Sequence, residues 1–523
     1  MSGSSSPIVS RGSPGEIFDP FVLNPTSALP PVGTAHSAQN NMSPALHALT
    51  LPLAASLIIF TSLYILSLRE GFHVPRLTTI PAVPRPQLWT PTPSLVPDAH
   101  TLPTADAFLP HFRAVTAMRG LSMAEAKAGC RWPNPDAVNF MFGADADWAV
   151  QDRNDSEIAF RRQQWQDFVS HDLLPYAAFK HRFQGRGIAV VAGNAQTVQR
   201  VKVLIRALRR LRAQLPIEVH YWNDEMTPAT KQDLAAVWPR NIYFNDLSAP
   251  SNVAPTTYNH FTANYQFKTA AVLNSRFAEV LLLDSDNLPV ADPAALFAAP
   301  TYTTHGTVFW PDIARTRPNN PAWAITNTAC RMDEYEQESG QLLVDKRRYF
   351  YHLQLAAWLN NAHGAYYARF LLGDKDLFRF AWHALRTPYG RPARWLTSVG
   401  TLNDGAYCGH SFAQHHPDGD GAVAFLHGGL LKSVPPEVVR WQREVNGGVW
   451  QAYKRSPRDE QADGVERVTI RWDGGAYFPH KTQDTPIWSC TALVDVEPKP
   501  LGELVDGFEK VFEEIGGYWM LDE

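Results

Sequence analysis

The segment Phe277-Ala-Glu-Val-Leu-Leu-Leu-Asp-Ser-Asp-Asn-Leu-Pro-Val290 sets two acidic residues, Asp284 and Asp286, directly after a continuous apolar run from Val280 to Leu283. Residues i and i+2 of an extended chain project to one side, so both carboxylates can converge on one cation while Ser285 points away. Carboxylate oxygens suit Mg²⁺ or Mn²⁺, ions that usually complete their shells with water and substrate phosphates. The apolar run predicts a strand buried on both faces. In open α/β sheets ligands bind beyond the carboxyl ends of the strands, which is where this pair falls. A metal-diphosphate role is favoured over a solvated acidic turn.

From about residue 150 strand-like and helix-like patterns alternate, which predicts an α/β domain with a mostly parallel central sheet. Gly187 to Gly193 reads as a strand, followed by Val198, Val201, Ile205, Leu208 and Leu215 at helical spacing. Ile217 to Trp222 and Asn241 to Asn245 read as two further strands. Lys202, Arg206, Arg209, Arg210 and Arg212, on the other face of that helix, read as a solvated surface. Glu338-Ser339-Gly340-Gln341 is expected to form a loop, because Gly340 interrupts an acidic segment before the apolar Leu342-Leu343-Val344.

Composition narrows the class. Lys+Arg 47 against Asp+Glu 51 leaves a net charge of −4, with no basic excess to hold nucleic acid. A hydrophobic share of 45% excludes collagen-like, mostly disordered and multi-span membrane proteins. Four cysteines without a CxxC or zinc spacing fit one or two disulfides in an oxidising compartment. Leu49 to Leu68 holds no charge and, at ~1.5 Å per residue, matches a ~30 Å hydrocarbon core, predicting one transmembrane helix. The expected order is a disordered cytosolic tail over 1–48, the span over 49–68, a Pro-rich stem over 69–150 and a catalytic domain over 151–523. Arg11 precedes the span while Arg69, Arg76 and Arg85 follow it, so a literal positive-inside count would leave the domain in the cytosol. Asn154-Asp155-Ser156 fits an N-glycosylation acceptor.

Tyr265-Gln-Phe-Lys268 followed by the strand and its DxD is similar to the GT-A glycosyltransferase pattern. Phe309-Trp-Pro-Asp312, Glu338-Ser-Gly-Gln341 with Asp345-Lys346, and Gly373-Asp-Lys375 with Phe378 narrow it further. Together, across roughly residues 180–440, these motifs resemble the fungal α-mannosyltransferases of glycosyltransferase family 71. The resemblance implies a GT-A-like, Rossmann-type nucleotide-sugar-binding domain in a single-span type II Golgi membrane protein, with the catalytic domain lumenal. It also implies retaining transfer of mannose from GDP-mannose to a mannose-terminated glycan, assisted by Mn²⁺ or Mg²⁺, and possible assembly with other glycosyltransferases.

By the same resemblance, Asp284 and Asp286 bind the metal and the donor diphosphate. His427, in Phe425-Leu-His427-Gly-Gly-Leu-Leu-Lys432, is the third metal ligand, and Lys432 lies near the diphosphate. His410, His415 and His416 are rivals, and Gln414 beside them is a candidate sugar contact. Lys268 is placed to add positive charge to the phosphates. Asp374 and Asp345 are candidate carboxylates for stabilising an oxocarbenium-like sugar carbon, and Gln341 for bonding sugar hydroxyls. A UDP-sugar donor, or a glycan-binding subunit without turnover, stays open at this level because a DxD reads only the diphosphate.

Overall fold

The computed structural model describes residues 102–130, 150–239, 241–258, 264–371, 373–419, 421–429, 431–455, 468–471, 490–493 and 496–521. The expected tail, membrane span and residues 69–101 of the stem lie outside the described residues, among which no helix is long and apolar enough to cross a membrane.

The stem gives way to the folded domain earlier than the sequence indicated. Leu109–Thr116 (α1) and Met123–Lys127 (α2) are helices. Pro110 sits in the first turn of α1, where its missing N–H costs nothing, so a proline-punctuated stretch still winds up. Ser122 and Glu125 form a capping box on α2. Phe108, Phe112 and Val115 are buried in the same core as the central sheet, and Cys130 is disulfide-bonded to Cys330. Asp155–Asp167 (α3) follows, capped by the exposed Asn154, whose Oδ1 accepts from Glu157 N at 2.8 Å.

The later helices used below are Ala195–Arg210 (α4), Gln266–Asn274 (α5), Lys346–Asn361 (α6), Lys375–Ala384 (α7), Pro436–Val445 (α8) and Phe508–Glu514 (α9). The central sheet contains Arg186–Val191 (β1), Ile217–Tyr221 (β2), Ile242–Asp246 (β3) and Glu279–Leu283 (β4). After the short Asn287–Pro289 (β5) come Thr307–Pro311 (β6) and Gln337–Asp345 (β7). Its order is β3-β2-β1-β4-β7-β6. The first four strands run parallel, β7 is antiparallel to both β4 and β6, and β6 therefore runs with β4, so the sheet is mostly parallel, as expected, with one reversed strand that makes it mixed. Val280 and Leu282 of β4 face one core and Leu281 and Leu283 the other, all 0% exposed, as expected of a strand covered on both sides.

A second, eight-stranded sheet is built around Thr397–Asn403 (β8) and Ala406–His415 (β9), with Val423–His427 (β10) pairing both β9 and β5. Cys408 of β9 is bonded to Cys490. The β5–β10 register sets His427 opposite Asn287, one residue from Asp286.

The basic face of α4 is not simply solvated. Arg206 Nη1 donates to Ile515 O at 3.2 Å and Arg210 pairs with Glu514, while Val203 and Ala207 share a core with Phe508 and Phe512. The C-terminal helix α9 docks on it.

Candidate metal and donor site

At the end of β4 the chain turns over the edge of β7. Asp284 N donates to Gly340 O at 2.8 Å, and Asn287 N donates to Asp284 O at 3.1 Å. Asn287 is fully buried beneath the turn, and its Nδ2 donates to Gly340 O at 2.7 Å and to Gln341 Oε1 at 2.5 Å. Gly428 N donates to Asp286 O at 3.0 Å, which ties the end of β10 to the same turn. Local backbone bonding and strand pairing thus bring Asp284, Asp286 and His427 together, with one possible ligand atom of each within 4.8 Å of the others. His427 Nε2 is 3.4 Å from Asp286 Oδ1 and 3.7 Å from Asp284 Oδ2.

The histidine is oriented from behind. Its Nδ1 is 2.9 Å from Glu338 Oε2. Burial works against ionising Glu338, but His427 and Lys268 beside it outweigh burial and hold the carboxyl at about 2. An ionised carboxylate only accepts, so Nδ1 carries the hydrogen and Nε2 is left facing the two aspartates. That Nε2 is buried and has no hydrogen-bond partner, which is the state of a nitrogen waiting for a cation. Burial would lower the affinity of His427 for a proton, yet Glu338 and Asp286 raise it to about 10. A divalent ion would take the place of that proton. Three ligands of the N,O,O type suit Mn²⁺ or Mg²⁺ with open positions for substrate oxygens.

The segment expected as a loop, Glu338 to Gln341, is the first half of β7, with a register shift opposite Phe309 and Trp310. Gly340 marks a close approach rather than a break. A Cβ there would lie 2.4 Å from His427 Cε1 and 2.6 Å from Glu338 Oε2.

Cations and a further carboxylate surround the turn. Lys268, near the start of α5, places Nζ 2.8 Å from Asp284 Oδ2, 3.3 Å from Ser339 Oγ and 3.7 Å from Asp374 Oδ1. Burial opposes its charge, but Asp284 and Asp374 raise its pKa above the ordinary lysine value. Asp374 follows Gly373, whose φ of 63° sets the turn into α7. Burial pushes Asp374 up to about 6, with Lys268 pulling it down and Asp284 adding to the rise. Lys432 Nζ lies 3.2 Å from Asp286 Oδ2, and both residues line a cleft of about 290 Å³.

Asp345 and Gln414 are not brought here, and Gln341 lies beneath the turn rather than facing a ligand. Asp345 pairs with Glu279 at the opposite end of β4, because β7 runs antiparallel. Four residues past Gln341 at ~3.4 Å each, it is on the order of 13 Å away, where it caps α6 and pairs with Arg347 at 2.8 Å. Gln341 and Gln414 are 0% exposed: the first accepts from Asn287, the second donates to Pro311 O at 2.9 Å, and neither offers surface to a sugar. The rival histidines fall elsewhere, His410 bonded to Val449 O and His415 to Thr397, both buried. Glu338, Ser339 and Asn287 were given no role from the sequence. Treating Glu338 and Gly340 as alternate residues of one strand would have put the glutamate on the site face.

Asp284 and Asp286 at the carboxyl end of β4 and His427 at the end of β10 thus meet beside a central α/β sheet. Residues 185–336 and 322–416 match the family described as “Mannosyltransferase putative”. Over 298 residues the chain is 27% identical to “Alpha-1,2-mannosyltransferase MNN24” of Candida albicans, covering 48% of this chain and 41% of that protein. Over 169 residues it is 28% identical to “Alpha-1,2-mannosyltransferase MNN2” of Saccharomyces cerevisiae, covering 32% and 27%. The chain therefore spans less than half the length of these relatives. Among solved structures, the galactosyltransferase LgtC with donor and acceptor sugar analogues aligns at 16% identity over 37% of this chain and 69% of that one, with a TM-score of 0.28. That likeness is too partial to bear on function. The sequence matches are to fungal α-mannosyltransferases, the family the motifs resemble, and the matched residues include Lys268, Asp284, Asp286, Glu338 and Asp374.

Proposed function

We propose that the chain is a retaining α-mannosyltransferase that moves mannose from GDP-mannose to a mannose-terminated glycan, with Asp284, Asp286 and His427 holding Mn²⁺ or Mg²⁺. The observation that carries this is the convergence of those three residues with the Nε2 of His427 unsatisfied. A bound divalent ion would offset the charge that grows on the diphosphate as the bond to the sugar carbon breaks. Lys432 supplies a further cation beside Asp286, and Lys268 holds Asp284 in place through the 2.8 Å contact to its Oδ2. Asp374, buried and with its Oδ2 free of hydrogen bonds, supplies negative charge toward an oxocarbenium-like carbon. An α-1,2 linkage is favoured by the names of the relatives.

The same reading places the protein in the Golgi membrane, anchored through residues 49–68. Two disulfides, Cys130–Cys330 and Cys408–Cys490, leave no free cysteine among the described residues and support an oxidising lumen over the literal charge count.

The test is turnover of a nucleotide-sugar panel by the full chain in detergent, with Mn²⁺ or EDTA, mannobiose as acceptor and linkage analysis of the product. Metal-dependent use of GDP-mannose is expected. Preference for a UDP-sugar would overturn the mannosyl assignment, and donor binding without transfer would favour a glycan-binding subunit.

A further inference from the structure

The basic side chains of α4 divide into those the fold uses and one that it does not. Lys202 lies 3.9 Å from Asp233, Arg206 donates to Ile515 O at 3.2 Å, Arg209 donates to Val237 O at 3.0 Å, and Arg210 pairs with Glu514. Arg200 pairs with no carboxylate among the described residues, and its Nε is buried without a hydrogen bond. It lines the same cleft as Ser285, Asp286, Gly428 and Lys432. A guanidinium turned into a pocket beside a metal-binding carboxylate, with its partners missing, fits an anion that is not part of the protein.

The charge balance points the same way. A divalent ion with Lys268, Lys432 and Arg200 outweighs the four carboxylates Asp284, Asp286, Glu338 and Asp374 by one positive charge, and Arg200 and Lys432 are the two cations that line the cleft where a metal-held anion would sit. Two cations match a diphosphate better than a neutral sugar.

Packing along the same face of α4, one and two turns on, keeps Arg200 in the cleft. Phe512, Ile515 and Tyr518 share a core with Val203 and Ala207, and a Cβ on Gly516 would meet Arg206 Nη1 at 2.5 Å, so the C-terminal turn is pressed closely onto the helix. Gly517, Trp519 and Met520 then form a wall of the cleft.

We propose that Arg200 is a second cationic arm for the donor diphosphate, acting with Lys432, and that the docked C-terminal segment holds α4 in the position this requires. The inference rests on the reading of the site as one for a nucleoside diphosphate. The experiment uses the full chain and GDP as probe, with binding measured by calorimetry in Mn²⁺ and Mn²⁺ affinity measured separately by electron paramagnetic resonance. Arg200→Ala is expected to weaken GDP about tenfold, the scale of a lost charge-assisted hydrogen bond, and to leave Mn²⁺ affinity unchanged. Donor KM should rise more than kcat falls, and Arg200→Lys should restore part of the affinity, which a purely structural role would not produce. Arg206→Ala, which loosens the C-terminal turn and keeps Arg200, should weaken GDP by a smaller factor. GDP affinity within twofold of wild type in Arg200→Ala overturns the arginine's role, and an unchanged Arg206→Ala overturns that of the C-terminal segment. If the wild-type chain binds no GDP with Mn²⁺, the diphosphate reading of the whole site falls, an outcome distinct from either.

Discussion

The two ends of the central sheet carry similar charges and use them differently. At the amino end of β4, Glu279 is met by Arg186 at 3.1 Å, Arg347 at 2.8 Å and the Tyr302 hydroxyl at 2.9 Å, while Asp345 is forked by Arg347. These carboxylates have donors from the fold on every side. At the carboxyl end, Asp284 and Asp286 are met by lysines, point charges rather than bidentate forks, and His427 Nε2 has no hydrogen bond. Charge satisfied inside the chain serves stability. Charge left partly unsatisfied holds affinity for something outside it.

The comparison can be broken most sharply at the carboxyl end. Asp286→Ala, folded by circular dichroism, is expected to lower transfer by about a thousandfold or more, as loss of a main electrostatic element does. Retention of full activity would remove the metal assignment. Next in size is a stability effect near the opposite end, where Glu218 accepts from Ser275 Oγ and Arg276 N at 2.8 Å each. Burial alone would raise its pKa, but His220 and these donors lower it from 4.5 to about 2. A depressed carboxyl contributes stability that is complete above its unfolded value and is lost as pH falls through the folded one. Denaturant melts of wild type and Glu218→Gln should therefore differ by on the order of 3 kcal/mol at pH 7, with the gap closing between about pH 4.5 and 2.

Smaller effects sharpen the contrast. Glu338→Gln removes the ionised acceptor behind His427 and should weaken Mn²⁺ binding by roughly 10- to 100-fold, the usual range for an outer partner of a metal-bound histidine. Equal Mn²⁺ affinity would show that the histidine is oriented some other way. Asp345→Asn keeps a capping oxygen and loses only the charge toward an exposed arginine, so it should change transfer by less than about twofold and cost less than about 1 kcal/mol of stability. A large loss of transfer in that variant would mean that the two ends are coupled.

The sequence was most readable where one physical rule dominated. The four apolar residues of β4, the 3.6-residue period of α4 and the acidic pair at a strand end all follow from burial and spacing, and each is found where expected. Strand direction has no such local signal. Nothing within Gln337–Asp345 says that it runs against β4, and that one fact sends Asp345 to the wrong end, buries Gln341 and brings Glu338 behind His427. His427 was placed by resemblance, but its contact with the aspartates depends on the pairing of β10 with β5, across a long sequence separation. The basic face of α4 was read only in part for a related reason: its arginines are exposed, as expected, but Arg206 and Arg210 also bond the C-terminal segment, and charged side chains that dock a distant helix look like solvated ones until that helix is seen.

Gly340 carries a consequence for heredity. Every other amino acid has a Cβ, and here that atom would fall 2.4 Å from the His427 ring. The atoms in its way belong to the side chains whose positions define the site, so the fold can survive a substitution by letting the histidine swing aside. A missense allele at this codon should therefore yield protein of normal abundance and no activity, a null that immunoblotting would miss and only a glycan profile would reveal.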